Sequence, residues 1–450
     1  MTKRLCVIGG DAAGMSAASQ VRRSSKETEV VVFEMGSDVS YAACGIPYFI
    51  AGLVPGIDDL VARSASAFRE QGIDLRLRSE VKAIDASSRR LEVWDHESSS
   101  SYEEPFDYLM IGTGARALMP PGFELAYPAH NLNDARQLDE LIQSNRPKRV
   151  VVAGGGYIGL EMAEAFRIRG LETHMVEMQD HVMATLDTEM AVHVEDALEK
   201  AGVELHLGAG ISQVLSEGGR VTGVVAGERE IPCDLVVAGL GSRPRSEIAS
   251  EAGIEIGESG AIAVDHAQQT SVDGVYAAGD CAEVFHLVRQ RWVNIHLGTI
   301  ANKAGRVAGL NIAGGRARLP GVVGTAMSRI CETEVARTGL SEREASTDGR
   351  DYVSAAVTTS TRAHYYPGAG EMHLKMLADP DTKEILGTQI VGLEGAAKRI
   401  DVIATAITAG MTVSQVVDLD LSYAPPFSSV WDPVQVVARR LSSVMDSSSE

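Results

Sequence analysis

Twice in this chain a short apolar strand runs into a glycine turn, continues as a helix of small residues, returns as a second strand and ends on a glutamate. The first unit takes residues 3–8, the turn Gly9-Gly10-Asp11-Ala12-Ala13-Gly14, the helix MSAASQVRR and the strand Glu29–Phe33, followed by Glu34. The second takes Arg149–Ala153, the turn Gly154-Gly155-Gly156-Tyr157-Ile158-Gly159, the helix LEMAEAFRIRG and residues 173–176, followed by Glu177. Such a turn lets main chain approach a pyrophosphate at a helix N-terminus, and an acid about 20 residues further on accepts the ribose hydroxyls. One glycine motif is weak evidence. Two complete units restrict the chain to an α/β architecture that binds two dinucleotides. Asp11 replaces the middle glycine of the first turn, where a carboxylate is tolerated only if it points away from the phosphates. Glu177 repels a 2′-phosphate, and Met178, Gln179 and Asp180 supply no arginine, so NADH is expected over NADPH.

Between the units, residues 39–52 read VSYAACGIPYFIAG and set Cys44 at the head of an apolar segment. Gly45 and Pro47 suit a loop entering a helix, and a thiol at a helix N-terminus meets unpaired N–H groups that favour the thiolate. That contributes only about 0.3–1 kcal/mol, so a thiolate dominant at neutral pH needs a flavin face or a nearby donor as well. Free cysteines are most often small buried core residues. Beside two nucleotide units, Cys44 is instead the candidate redox centre. Cys6, Cys233, Cys281 and Cys331 form no CxxC pair, so neither a zinc site nor a disulfide framework is indicated and no metal is expected. A reducing cytoplasm is the expected location. The formal charge of -20 argues against nucleic acid or anionic membrane as a partner. The start of the sequence leaves no room for a signal peptide, and no apolar run of about 18 residues is present to span a membrane.

The rest of the chain returns to the nucleotide sheets and then leaves them. Residues 68–76 read as a helix leading to strands, and the serines at 98–101 as a solvated hairpin tip. Residues 106–114 read as a buried strand ending in a glycine turn at Gly114. A further buried strand, 234–239, precedes the turn at Gly241. Residues 274–280 form an apolar strand that delivers Asp280, either a helix cap or a partner for a flavin ribityl chain. The helix expected at 297–305 can turn its N-terminus toward the electron-poor end of a flavin. From about residue 321 alternating strands follow, and then two helices after Gly392, with aromatic clusters at His364-Tyr365-Tyr366-Pro367 and 421–426. Their tyrosines are either interface packing residues or proton donors to a leaving thiolate. The serine-rich tail, 442–450, is expected to be disordered.

Seven segments together, VIGGDAAGMSAAS, SYAACGIPYFIAG, VVAGGGYIGLEMAEAF, VYAAGDCAE, LGTIANKAGRVAG, GAAKRIDVIATAI and LSYAPPFSSVWDP, resemble the single-cysteine pyridine nucleotide–disulfide oxidoreductases. Coenzyme A-disulfide reductase and the flavin NADH oxidases belong to that group, and the likeness runs over about residues 3–441. It implies two Rossmann-like dinucleotide-binding domains plus a C-terminal α+β dimerisation domain. The FAD domain would take 1–118 and 244–320, the NAD domain 119–243 and the interface domain 321–450, in a homodimer whose active site is shared across the interface. On this likeness FAD contacts fall on Gly9, Gly10, Ala13, Gly14, Glu34, Val81, Gly114 and Asp280. Nicotinamide contacts fall on Gly154, Gly156, Ile158, Gly159, Glu177 and Gly241. Cys44 becomes the redox cysteine, Tyr423 and Tyr365, or its neighbour Tyr366, the partner subunit's tyrosines, and Gln20, Arg22, Arg23 and Arg63 the coenzyme A contacts.

The resemblance implies reduction by NADH, through FAD and Cys44, of coenzyme A disulfide or another small disulfide. Alternatives are an NADH oxidase acting on O2, a persulfide or polysulfide reductase, and an electron-transfer flavoprotein with a bystander cysteine. Ala43 stands where several members place asparagine, which removes a hydrogen bond that tunes the thiolate. Ala12 stands where NADH peroxidases carry histidine, which disfavours peroxidase activity. No CxxxxC pair is present, so electrons cannot rest in an internal disulfide. The sequence lacks the C-terminal rhodanese module of some relatives, which weakens the persulfide alternative.

Overall fold

The computed structural model describes residues 2–447. Its first sheet orders five parallel strands Val275–Ala277, Tyr108–Ile111, Arg4–Ile8, Glu29–Phe33 and Asp74–Arg76. Its second orders Val203–His206, Glu172–Val176, Arg149–Ala153, Leu235–Ala238 and Tyr127–Pro128, again parallel. In both, the strand before the glycine turn is central and almost fully buried, as a parallel sheet covered on both faces requires. The correspondence extends to single hydrogen bonds. Gly9 N donates to Phe33 O at 2.9 Å and Gly154 N to Val176 O at 2.8 Å; Gly112 N donates to Ile8 O and Gly239 N to Ala153 O, both at 2.8 Å.

Each sheet carries a three-stranded antiparallel partner, Ser79–Asp85 to Ser100–Pro105 in the first domain and Ile211–Glu217 to Arg229–Pro232 in the second. The chain crosses between the domains through Ala115–Ala117 and Ser242–Pro244, which pair antiparallel. The third sheet is antiparallel, in the order Ala326–Ile330, Thr333–Gly339, Ile385–Gly392, Glu371–Ala378, Val353–Ser360.

Two expectations are corrected. Residues 68–76 are not one helix: Ala65–Glu70 is helical, Gly72 turns the chain at φ +80, and Asp74–Arg76 is the edge strand of the first sheet. The tail is not disordered from 442 onward, because the helix Pro433–Ser447 runs through it; 448–450 lie outside the described residues. Leu441 and Met445, four apart on one helix face, are buried, while the serines that suggested disorder are more exposed. Among the described residues no helix is long and apolar enough to cross a membrane.

Candidate active site

The two acids after the second strands hold their glycine turns in the same way. Glu34 Oε2 accepts from Gly10 N at 2.8 Å and Oε1 from Gly36 N at 2.7 Å. Glu177 Oε2 accepts from Gly155 N at 2.6 Å and Oε1 from Gln179 N at 2.8 Å. A Cβ on the last glycine of either turn would lie 2.0 Å (Gly14) or 1.9 Å (Gly159) from the carbonyl oxygen of the first, so only glycine lets the helix pack on its strand. A Cβ on Gly156 would meet nothing within 4 Å, and Ile158 beside it is exposed. The second turn therefore faces open space at a helix N-terminus, which fits a pyrophosphate. Gly241, at φ +91, follows the strand beside that turn. Glu34 is held above the ordinary carboxylate range by burial, partly offset by the Gly36 and Gly10 N–H groups.

Asp11, the departure in the first turn, turns its carboxylate to Tyr41 N at 3.2 Å, three residues before Cys44. Burial, against the Tyr41 N–H and with Glu34 adding repulsion, pushes its pKa up to about 6. Ala13 is buried where the helices Ala12–Ser24 and Gly298–Ile312 cross, its carbonyl oxygen 2.2 Å from the position a Cβ on Gly305 would occupy. Val81 belongs to the core beside Ile8 and Phe33, so only its main chain can meet a ligand.

Asp280 ends the strand Val275–Ala277, and among the described residues nothing hydrogen-bonds its carboxylate. Burial raises its pKa, with His296 and His130 opposing. Around it, His296 Nδ1 is 2.7 Å from Ser242 Oγ, His296 Nε2 is 2.6 Å from Asn294 Oδ1, and Asn294 Nδ2 donates to Asp280 O at 2.9 Å. A Cβ on Gly114, at φ +67, would meet open space. Arg245, which the sequence reading passed over, has a buried Nε without a partner, while Nη1 reaches Met35 Sδ at 3.4 Å beside Glu34. A lone carboxylate, able to take ribityl hydroxyls, and a guanidinium whose Nε has no partner among the described residues, beside Glu34, fit FAD. Position 245 follows the crossing strand, a junction no local motif marks.

Cys44 is exposed, in a 3-10 turn, Ala43–Gly45, leading into the one-turn helix Ile46–Ile50. That helix packs against the helices Leu132–Asn145 and Tyr157–Ile168 of the second domain, and Ile50 O accepts from Arg169 Nε at 2.5 Å. The expected helix-terminus effect does not lower the thiol pKa. Burial raises it, Glu161 raises it further, and a main-chain N–H only partly opposes them. A five-residue helix carries little dipole, and the charges facing the sulfur are carboxylates. Glu161, also missed in the sequence, accepts from Ser328 Oγ of the third sheet at 2.6 Å and is itself raised by burial.

Tyr365 and Tyr423 come together on the surface of the third domain, where Tyr423 raises the Tyr365 pKa; they are 66% and 47% exposed, and Tyr366 is 38% exposed. Phe427, Val430 and Trp431 are exposed on the same domain. Arg22 is engaged with main chain, donating to the carbonyls of Gln71, Lys26 and Thr28 at 3.1, 2.9 and 3.2 Å. Gln20 and Arg23 bond each other at 3.1 Å, and Arg63 reaches Gln71 Oε1 at 3.4 Å.

Residues 3–305 match the pyridine nucleotide-disulphide oxidoreductase family and 325–434 its dimerisation domain. The NAD(P)H coenzyme A polysulfide/persulfide reductase of Pyrococcus horikoshii is 41% identical over 447 residues, covering 98% of this chain and 99% of that protein. Coenzyme A disulfide reductase of Staphylococcus aureus is 29% identical over 438 residues, 96% and 98% of the two chains. The crystal structure of reduced Bacillus anthracis CoADR-RHD matches with a TM-score of 0.96 and 34% identity, covering 99% of this chain and 81% of that one. The chain belongs to the pyridine nucleotide-disulphide oxidoreductases, enzymes that bind FAD and NAD(P)H.

Proposed function

We propose that this oxidoreductase uses NADH to reduce coenzyme A disulfide, or a similarly small disulfide, through Cys44. The observation that carries the reading is an exposed, lone Cys44 on a short helix wedged against the second dinucleotide domain. FAD, when bound, passes electron pairs from the nicotinamide to sulfur. Cys44 Sγ attacks one sulfur of the substrate, the S–S bond breaks, and the first thiolate leaves while the other half stays on Cys44 as a mixed disulfide. Tyr423 of the partner subunit, with Tyr365 beside it, protonates the departing thiolate. The one electron pair supplied by NADH then cleaves the mixed disulfide, releases the second thiol and returns Cys44 to its reduced form. The sum is one NADH and one proton for two thiols.

Glu177 selects NADH, and Arg23 and Arg63 hold the substrate phosphates, with Arg22 fixing the loop beneath them. The protein works in the cytoplasm as a homodimer joined through its third domain, with the first domain divided as 1–118 and 244–320. A second reading, reduction of persulfide or polysulfide carried by coenzyme A, is favoured by the Pyrococcus horikoshii reductase, which is 41% identical over 98% of this chain. Anaerobic NADH oxidation with coenzyme A disulfide tests the choice. Two thiols released per NADH, lost in Cys44→Ser while hydride transfer to the flavin survives, supports the first reading. Turnover only with persulfide moves it to the second, and equal turnover in Cys44→Ser sinks both.

A further inference from the structure

Near the edge of the second sheet two histidines and two glutamates converge. The strands Glu172–Val176 and Val203–His206 pair with His174 opposite Glu204 and Val176 opposite His206, so side chains 174, 204 and 206 share one face. His174 Nδ1 lies 3.2 Å from His206 Nε2 and 3.5 Å from Glu204 Oε2, and His206 Nε2 lies 3.5 Å from Glu204 Oε1. A tetrahedral ion with ligand distances of about 2.0–2.2 Å sets its donors about 3.3–3.6 Å apart. The two imidazole nitrogens are spaced close to that geometry, each is 3.5 Å from one of the two Glu204 oxygens, and one donor atom from each of the three residues lies within 4.8 Å of the others. The imidazoles are nearly buried, and the glutamate, 66% exposed, leaves a path from solvent.

His174 Nε2 is 3.2 Å from Glu172 Oε1. A carboxylate that takes the proton of the outer ring nitrogen leaves the inner lone pair pointing at the centre, the arrangement found around metal-bound histidines. In that tautomer His174 Nδ1 and Glu204 Oε2 face each other as two acceptors, a repulsive contact that a cation between them relieves. We propose that His174, His206 and Glu204 bind a zinc-class divalent ion, with water as the fourth ligand and Glu172 as the outer carboxylate. Arg229 lies near His206, and the two carboxylates outweigh its charge. Cysteine spacing does not reveal such a site, because its ligands are histidines and a glutamate on neighbouring strands. The ion staples the edge strand to its neighbour one hydrogen bond behind the ribose acid, since His206 O accepts from Glu177 N at 2.9 Å.

The test is titration of chelator-treated, FAD-loaded Cys44→Ser protein with Zn2+ and with Co2+, the cysteine being removed because a thiolate also binds these ions. Expected are one bound equivalent, visible Co2+ bands of tetrahedral nitrogen and oxygen coordination, and a Zn2+-dependent rise in Tm. Glu172→Gln should weaken binding about 10–100-fold, and Glu204→Gln at least as much, with the far-ultraviolet spectrum unchanged. Both glutamates are exposed, so these variants keep the fold where His174→Ala could lose it. No stoichiometric binding, or binding equally tight in Glu204→Gln and His206→Ala, overturns the site and leaves a proton-held histidine cluster.

Discussion

At the scale of single residues, the departures from motif are where the chain is most informative. Asp11 is a carboxylate at a pyrophosphate turn, and its pKa of about 6 is set first by burial. A folded-state pKa above the ordinary carboxylate value means the folded chain keeps a proton the unfolded chain has lost. Stability therefore falls as pH rises from about 4 to about 6 and is level above that, by on the order of 1–3 kcal/mol. Asp11→Asn keeps an acceptor for Tyr41 N and removes the ionisation. Denaturant unfolding of the FAD-free protein across this range should show wild type losing stability relative to the variant; parallel curves would refute the assignment. Glu177 makes a second case. If Glu177 holds the ribose and repels a 2′-phosphate as proposed, Glu177→Ala removes both effects, so kcat/KM should fall about tenfold with NADH and rise with NADPH. An unchanged ratio of the two would detach cofactor choice from this residue.

At the scale of elements, close helix contact depends on glycine at Gly305, whose added Cβ would lie 2.2 Å from Ala13 O, whereas one on Gly298 meets nothing within 4 Å. Gly305→Ala should lower stability by about 1–3 kcal/mol or more and weaken FAD retention, while Gly298→Ala leaves both near wild type. Thermal unfolding followed by flavin fluorescence separates the two. Both nucleotide units could be read from the sequence because each glycine and each acid answers a demand met within about 25 residues, the span of one βαβ unit. The crossing of helices at Ala13 and Gly305 could not, since that partner lies on the far side of an inserted domain. Arg22 looked like a substrate cation because sequence does not show the three carbonyls it serves. Serine content suggested a disordered tail, and the apolar positions Leu441 and Met445 decided it. Cys44 was located by its motif, but not its acidic surroundings, which Glu161 brings from another domain.

At the scale of the whole molecule, a buried cation holds the second domain to the third. Lys375 Nζ, its side chain 3% exposed, lies 3.0 Å from both Asp187 and Glu342 and also pairs with Glu189, while Gln389 Nε2 donates to Asp187 at 2.6 Å. Lys375→Met strands these carboxylates and should lose about 3–5 kcal/mol in denaturant unfolding, partly restored by Asp187→Asn. The third domain, which matches the family's dimerisation domain, also carries the surface on which the proposed sharing of the site between two chains rests. Tyr365, Tyr423, Phe427, Val430 and Trp431 are all exposed on it, an apolar face that a two-fold partner would cover. If the tyrosines serve the partner's sulfur, Cys44→Ser and Tyr365→Phe/Tyr423→Phe proteins fail for different reasons. A mixed dimer pairs the intact cysteine of one chain with the intact tyrosines of the other. Dissociating and reassociating equal amounts should then recover about one quarter of wild-type disulfide reduction, half the dimers being mixed with one working site each. Tyrosines acting within their own chain would give mixed dimers without a complete site, and activity would stay at the sum of the two parents.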